Sequence, residues 1–196
     1  MNAFCNINKL IFIMLLCLAG LSHAASEIAG VTFPDKVNLG NSELHLNGAG
    51  MRAKFFLRVY AIGLYLGETK NNANDALALT GPKRLQIVTL RDLTAEQFAD
   101  ALVEGIRRNH SEAELESLLP RIETFKAAML AIKTTPKGTV ITIDWLPGHG
   151  THLSIDGQRK SGDIAGEDFF NAVLNIWLGQ KPAQDDLKNA LLGKPQ

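Results

Sequence analysis

Residues 55–66 read Phe-Phe-Leu-Arg-Val-Tyr-Ala-Ile-Gly-Leu-Tyr-Leu. Phe55, Leu57, Val59 and Ala61 place apolar side chains at every second position, with Arg58 and Tyr60 between them. Period 2 is the pattern of a strand with one face on a core, and the odd positions are expected to supply that face. Shorter strand signals precede it: residues 31–33 and 44–46 flank the turn formers Pro34-Asp35 and Asn38-Leu39-Gly40-Asn41. After it, a short helix near residues 73–79 leads to Leu-Gln-Ile-Val-Thr-Leu at 85–90, another strand.

The middle of the chain is helical. Thr94 and Gln97 form a capping box, followed by an apolar stripe of Phe98, Ala101, Leu102, Gly105 and Ile106. Ser111 and Glu114 form a second, followed by Leu115, Leu118 and Leu119. Pro120 has no N–H and is expected to interrupt or restart that helix, with Ile122, Phe125, Met129 and Leu130 continuing its apolar side. Strand patterns return at 139–145, then at 151–155 and 158–164 around the hairpin signal Asp156-Gly157. A densely apolar helix spans about 166–178, with Gly179 as its C′ residue, and Pro182 is expected to open a last helix carrying Leu187, Ala190 and Leu191. This order predicts an α+β fold, a large, mostly antiparallel sheet covered by a layer of helices, in a single domain of residues 26–196.

Residues 1–25 have a different character. Lys9 precedes an apolar run of about 12 residues, and Ser22-His23-Ala24 ends it with small side chains at Ser22 and Ala24. That is the pattern of a cleaved signal peptide, and the run falls short of the ~20 residues that span a bilayer. Cleavage near Ala24-Ala25 and a periplasmic or secreted protein without a stable membrane span are expected. Residues 1–25 hold both cysteines, one of the 20 basic side chains and none of the 20 acidic ones, which leaves 19 basic against 20 acidic, net −1, and no thiol. Near-neutral charge argues against a nucleic-acid partner. The lack of thiols excludes a disulfide framework and a thiolate zinc site.

Motifs for chemistry are sparse. No Gly-x-Ser-x-Gly is present. His149 and His152 are close in sequence but read as a hairpin loop without further ligands, so neither metal nor cofactor is expected. Asn47-Gly48-Ala49-Gly50 lacks the lysine and spacing of a phosphate loop and reads as a β-bulge or a tight backbone approach. Arg52 follows it, either as an exposed stem packed along the strand or as a fork at a pocket mouth that takes a carboxylate.

The run from Asn47 to Arg52, followed by Val59-Tyr60-Ala61-Ile62-Gly63-Leu64-Tyr65-Leu66, resembles the signature of the chalcone isomerase family. The runs Leu90 to Phe98 and Ile176 to Gly193 are similar to an exported bacterial branch of that family. The resemblance covers roughly residues 31 to 193 and implies an open-faced β-sandwich with a ligand cleft between sheet and helices. The family includes plant enzymes that close a flavanone ring and non-catalytic relatives that bind fatty acids. Arg52 matches the arginine of the enzymes, but Tyr60 stands where they place a threonine, and Phe98 and Gly105 stand where they place a tyrosine and an asparagine. The missing donors argue against the chalcone reaction.

In the fatty-acid binders, by the same resemblance, an arginine and a tyrosine matching Arg52 and Tyr60 hold the carboxylate. Eight residues of straight strand span ~26 Å, so a shared site requires a hairpin or sharp bend within residues 53–56. Lys54 and Arg58 are the nearest substitutes for Arg52. The ligand-binding residues expected are Arg52, Tyr60, Phe98 and Gly105, and the ligand a small apolar acid. Two alternatives stay open: an isomerase or intramolecular lyase with Tyr60 as the proton-handling group, and a structural or partner-binding module in which Arg52 is an ion pair at a strand edge.

Overall fold

The computed structural model describes residues 25–194. The expected signal peptide at residues 1–25 lies, but for its last residue, outside them. The elements are β1 (Ser26–Ile28), β2 (Val31–Phe33), β3 (Lys36–Leu39), β4 (Ser42–Lys54), β5 (Leu57–Leu66), α1 (Ala73–Ala78), β6 (Lys83–Thr89), β7 (Leu93–Thr94), α2 (Ala95–Arg108), α3 (Glu112–Leu130), β8 (Thr134–Thr135), β9 (Val140–Leu146), β10 (Gly150–Ile155), β11 (Gln158–Arg159), α4 (Glu167–Leu178) and α5 (Asp185–Leu191). Seven strands form one antiparallel sheet in the order β11-β10-β9-β6-β5-β4-β3. The fold is α+β, as the element order predicts.

Both faces of the sheet are covered. Tyr60, Ile62, Leu64 and Leu66 of β5 join Leu85, Ile87, Ile141 and Ile143 beneath the helical residues Phe98, Leu102, Phe169, Phe170 and Trp177. Ala61 and Tyr65 point the other way, into a smaller cluster with Phe33 of the β1–β2 hairpin. The even positions of β5, not the odd ones, therefore face the helical layer. Phe55 is not in the strand at all. Residues 55 and 56 form the tip of the β4–β5 hairpin, with φ of 48° and 66°. Both are left-handed, a conformation that costs a non-glycine residue roughly 1–2 kcal/mol. Alternation could not choose the face, because a strand covered on both sides is apolar on both.

Four other expectations change. Helix α3 runs unbroken through Pro120. The proline lies on the exposed side, while Leu118, Ile122, Phe125 and Met129 are buried and Arg121 forks onto Asp168 at 2.7 Å, so packing on both sides of the proline holds the helix through it. Gly179 is extended (φ −66°, ψ −175°) rather than left-handed. It is small because Asn109 packs against it: Asn109 Nδ2 donates to Lys181 O and its Oδ1 accepts from Lys181 N. His152 is not in a loop but in β10, buried near Asp144 (3.8 Å) and Asp163 (3.9 Å). The last helix starts at Asp185, with Gln184 at its N-cap position, and not at Pro182.

Asn47-Gly48-Ala49-Gly50 combines the two roles expected of it. The β4–β5 register slips between Leu46 and Gly48, a bulge at Asn47. The glycines then let α5 lie directly on the strand: a Cβ on Gly50 would stand 2.7 Å from Leu187 Cδ1, and one on Gly48 would meet the carbonyl oxygens of Ala190 and Leu191. Asn47 Nδ2 donates to Leu191 O (2.7 Å) and Lys70 O (2.9 Å), clasping the end of α5. Elsewhere, the fully buried Lys83 ties β6 to α4 through Glu167 at 2.9 Å.

Candidate functional site

The β4–β5 hairpin decides the geometry. A two-residue turn at Phe55-Phe56 pairs Lys54 with Leu57 and Ala53 with Arg58, and a bulge at Val59 then slips the register by one, so that Arg52 and Tyr60 become direct cross-strand partners. Directly opposed residues share a face, with Cβ atoms about 5 Å apart. The bend that a shared site requires is present, and Arg52 and Tyr60 line the same cavity. Phe98 and Gly105 of α2 line it from above, so all four expected residues meet there. Of the two substitutes, Lys54 stands at the rim, while Arg58 opens onto a different surface with Met51 and Ala53.

The inner hollow has a volume of about 170 Å³ and adjoins an outer one of about 360 Å³. Arg52, Lys54, Phe98 and Ala101 border both. The outer wall adds Phe55, Leu57, Val59 and Leu93, an apolar trough leading to the hairpin tip. The inner part alone is smaller than an ordinary ligand site of roughly 300–1,000 Å³, but the two in series suit a polar head with an apolar body. A wider depression of about 460 Å³ lies near Asn109, Gly179 and Lys188. Two of its polar groups serve the chain itself: Lys188 Nζ donates to Gly179 O, and His110 Nδ1 lies 2.8 Å from Ile106 O.

Tyr60 is buried, and its hydroxyl oxygen accepts a bond from Trp177 Nε1 at 2.9 Å. Indole N–H can only donate, so the hydroxyl hydrogen of Tyr60 has no acceptor among the described residues. Burial pushes the phenol up to about 12, outweighing the downward pull of the Trp177 bond and of the Arg52 charge. The nearby cation does not make a tyrosinate here.

Arg52 Nη1 donates to Ala53 O and to Gln184 Oε1, both at 2.9 Å. Gln184 Oε1 also accepts from Ala53 N at 3.0 Å. The guanidinium is held by neutral oxygens, and no carboxylate lies within 4.0 Å of it among the described residues. It is therefore oriented but not neutralised. Gly105 contributes closeness, not a missing amide: a Cβ there would lie 2.7 Å from Ile176 Cγ2, so α2 crosses α4 at a position where any side chain forces a shift.

Sequence reasoning did not assign Trp177 or Gln184 to the site. Both lie in the C-terminal run that carries the resemblance, and Gln184 precedes the acidic pair Asp185-Asp186, the usual place of an N-cap. Its side chain makes no cap bond and reaches Arg52 instead.

The protein has two tyrosines, Tyr60 and Tyr65, and burial raises both to about 12. Since the raised value belongs to the folded state, the associated stability is present in full below pH about 10 and is lost as pH rises through 12. Absorbance at 295 nm is expected to show no tyrosinate at pH 10.5 in the folded protein, and substantial ionisation at that pH in guanidinium. A normal midpoint near 10 in the folded protein would contradict the buried placement of both phenols.

No curated protein matches the chain. Among solved structures, it is similar to the crystal structure of an Arabidopsis thaliana fatty-acid binding protein, with a TM-score of 0.64 and 15% identity over 83% of this chain and 92% of that one. At that identity the likeness speaks to the fold. A chalcone isomerase-like family match spans residues 25–193, nearly every described residue. The chain belongs to the chalcone isomerase-like family.

Proposed function

We propose that this is an exported, non-catalytic binding protein for a small apolar carboxylic acid such as a fatty acid, held in the cleft between sheet and helices. One observation carries the reading: Arg52, unneutralised, and Tyr60, with a free hydroxyl hydrogen, face each other across the hairpin inside the cavity. A carboxylate placed between them would accept from both. Charge-assisted bonds of this kind are about twice as strong as neutral ones. The apolar trough beyond Phe98 would take the chain. The Arabidopsis thaliana fatty-acid binding protein, to which the chain is similar in fold, is consistent with this use of the cleft.

The two alternatives have less support. A base at Tyr60 needs a phenolate, and burial opposes one at neutral pH. A strand-edge ion pair at Arg52 needs an anion, and the partner there is the neutral Gln184.

The purified protein is expected to release a fatty acid on denaturation, seen by mass spectrometry of the organic extract. The delipidated protein is expected to melt higher in saturating dodecanoate, because a ligand at 100 times its Kd stabilises by about 2.7 kcal/mol. If the extract holds no acid, and saturated acids over a range of lengths leave the melting temperature unchanged, the reading fails.

A further inference from the structure

The β4–β5 hairpin ends on Lys54-Phe55-Phe56-Leu57-Arg58, every residue of it exposed. Phe55, Phe56 and Leu57 have relative exposures of 83%, 104% and 54%, the three highest among the large apolar side chains described. Local conformation does not account for them. A two-residue turn with both φ positive favours Asn-Gly or Gly-Gly, and a bulky residue there is an outlier. Core packing does not account for them either, since Phe56 touches solvent all round. The charged residues of the tip itself are cationic, although Glu27 and Asp186 share a neighbouring hollow with Arg58. Lys54 and Arg58 flank the tip, and Lys54 Nζ lies 5.8 Å from the Phe55 ring centroid. Phe55 and Leu57 line the outer hollow, whose charged residues are Arg52, Lys54 and Arg91, all positive.

Two aromatic rings and a leucine at a protruding tip, flanked by cations, fit the chemistry of an anionic lipid surface. Such rings enter the boundary between headgroups and acyl chains, and the cations meet phosphates. We propose that the hairpin tip docks the protein on an anionic phospholipid bilayer, with Phe55, Phe56 and Leu57 inserted, Lys54, Arg58 and Arg91 on the headgroups, and the mouth of the outer hollow turned to the membrane. Docking rests on the tip alone. Its use, passage of an apolar acid between bilayer and cleft, rests on the proposed function.

The test compares residues 25–196, which carry the whole family match, with the same chain bearing Phe55→Asn and Phe56→Gly. Asn-Gly suits the turn, so this variant is expected to melt no lower than the original, and lost binding cannot be ascribed to misfolding. Partition is measured by co-sedimentation with phosphatidylglycerol/phosphatidylethanolamine vesicles and with phosphatidylcholine vesicles, without added fatty acid. Expected are binding to the anionic vesicles, weakening in high salt, and at least a tenfold lower partition for F55N/F56G. Equal partition of the two proteins overturns the proposal, as does binding that ignores vesicle charge. A wild-type dimer that F55N/F56G dissolves, with no vesicle binding by either, also overturns it and makes the tip a contact between copies. Because no acid is present, failure here leaves acid binding in vesicle-free buffer standing, and the reverse holds too.

Discussion

Arg52→Met is expected to lower the affinity for dodecanoate by roughly 30-fold or more. Removing one partner of a hydrogen-bonded charge pair in a desolvated site typically costs about 2–5 kcal/mol, and each 1.4 kcal/mol is a factor of 10. The carboxylate would still enter the cleft but would find only the Tyr60 hydroxyl. The fold should lose much less. Arg52 gives up bonds to Ala53 O and Gln184 Oε1, yet Gln184 keeps its bond to Ala53 N, so the hairpin stays attached to the start of α5. Arg52→Lys keeps the charge but not the fork, and should fall between the two. Displacement of a fluorescent fatty acid measures all three proteins. If Arg52→Met binds dodecanoate within threefold of the original, the carboxylate does not sit at Arg52.

Local rules carried most of the fold. Both capping boxes, Thr94 with Gln97 and Ser111 with Glu114, form in full. Asp156-Gly157 makes its hairpin, with φ of 48° and 76°. These signals lie within a few residues, so sequence shows them directly. The β4–β5 turn obeys the same geometry but hides it, because Phe-Phe replaces the residues that announce such a turn. The pairing of Arg52 with Tyr60 depends on that turn and on the bulge at Val59: the turn falls within residues 53–56, where a shared site required a bend, while nothing in the sequence announced the bulge. The bonds that shape the site are longer-range. Trp177 Nε1 reaches Tyr60 over 117 residues, and Gln184 reaches Arg52 over 132. No periodicity encodes such pairs. The resemblance pointed to the right strands and helix, but it described Gly105 as a lost amide, when the closeness of Ile176 leaves no room for one.

Gly48→Ala tests whether the site depends on how α5 lies on the sheet. A Cβ at Gly48 would stand 2.8 Å from Leu191 O and 2.9 Å from Leu191 C, and closer still to Ala190 O. These are backbone atoms at the end of a helix, which no rotamer change can move aside. The helix must shift or the bulge at Asn47 must open, and either weakens the bond from Asn47 Nδ2 to Leu191 O. Overpacking of this kind costs up to about 3 kcal/mol. At 2–4 °C per kcal/mol for a domain of this size, that lowers the melting temperature by up to roughly 6–12 °C. Gly67→Ala is the control, since nothing lies within 4 Å of a Cβ there, and its change should stay within about 0.5 kcal/mol. The same shift should reach the ligand. Gln184 precedes α5 at its other end and orients Arg52, so Gly48→Ala should also weaken dodecanoate binding, although Gly48 itself does not line the cavity. Loss of stability with unchanged affinity would mean that the Arg52 fork is set by its own strand and not by α5. Equal melting temperatures for the two variants would mean that the strand and helix are not in the contact described.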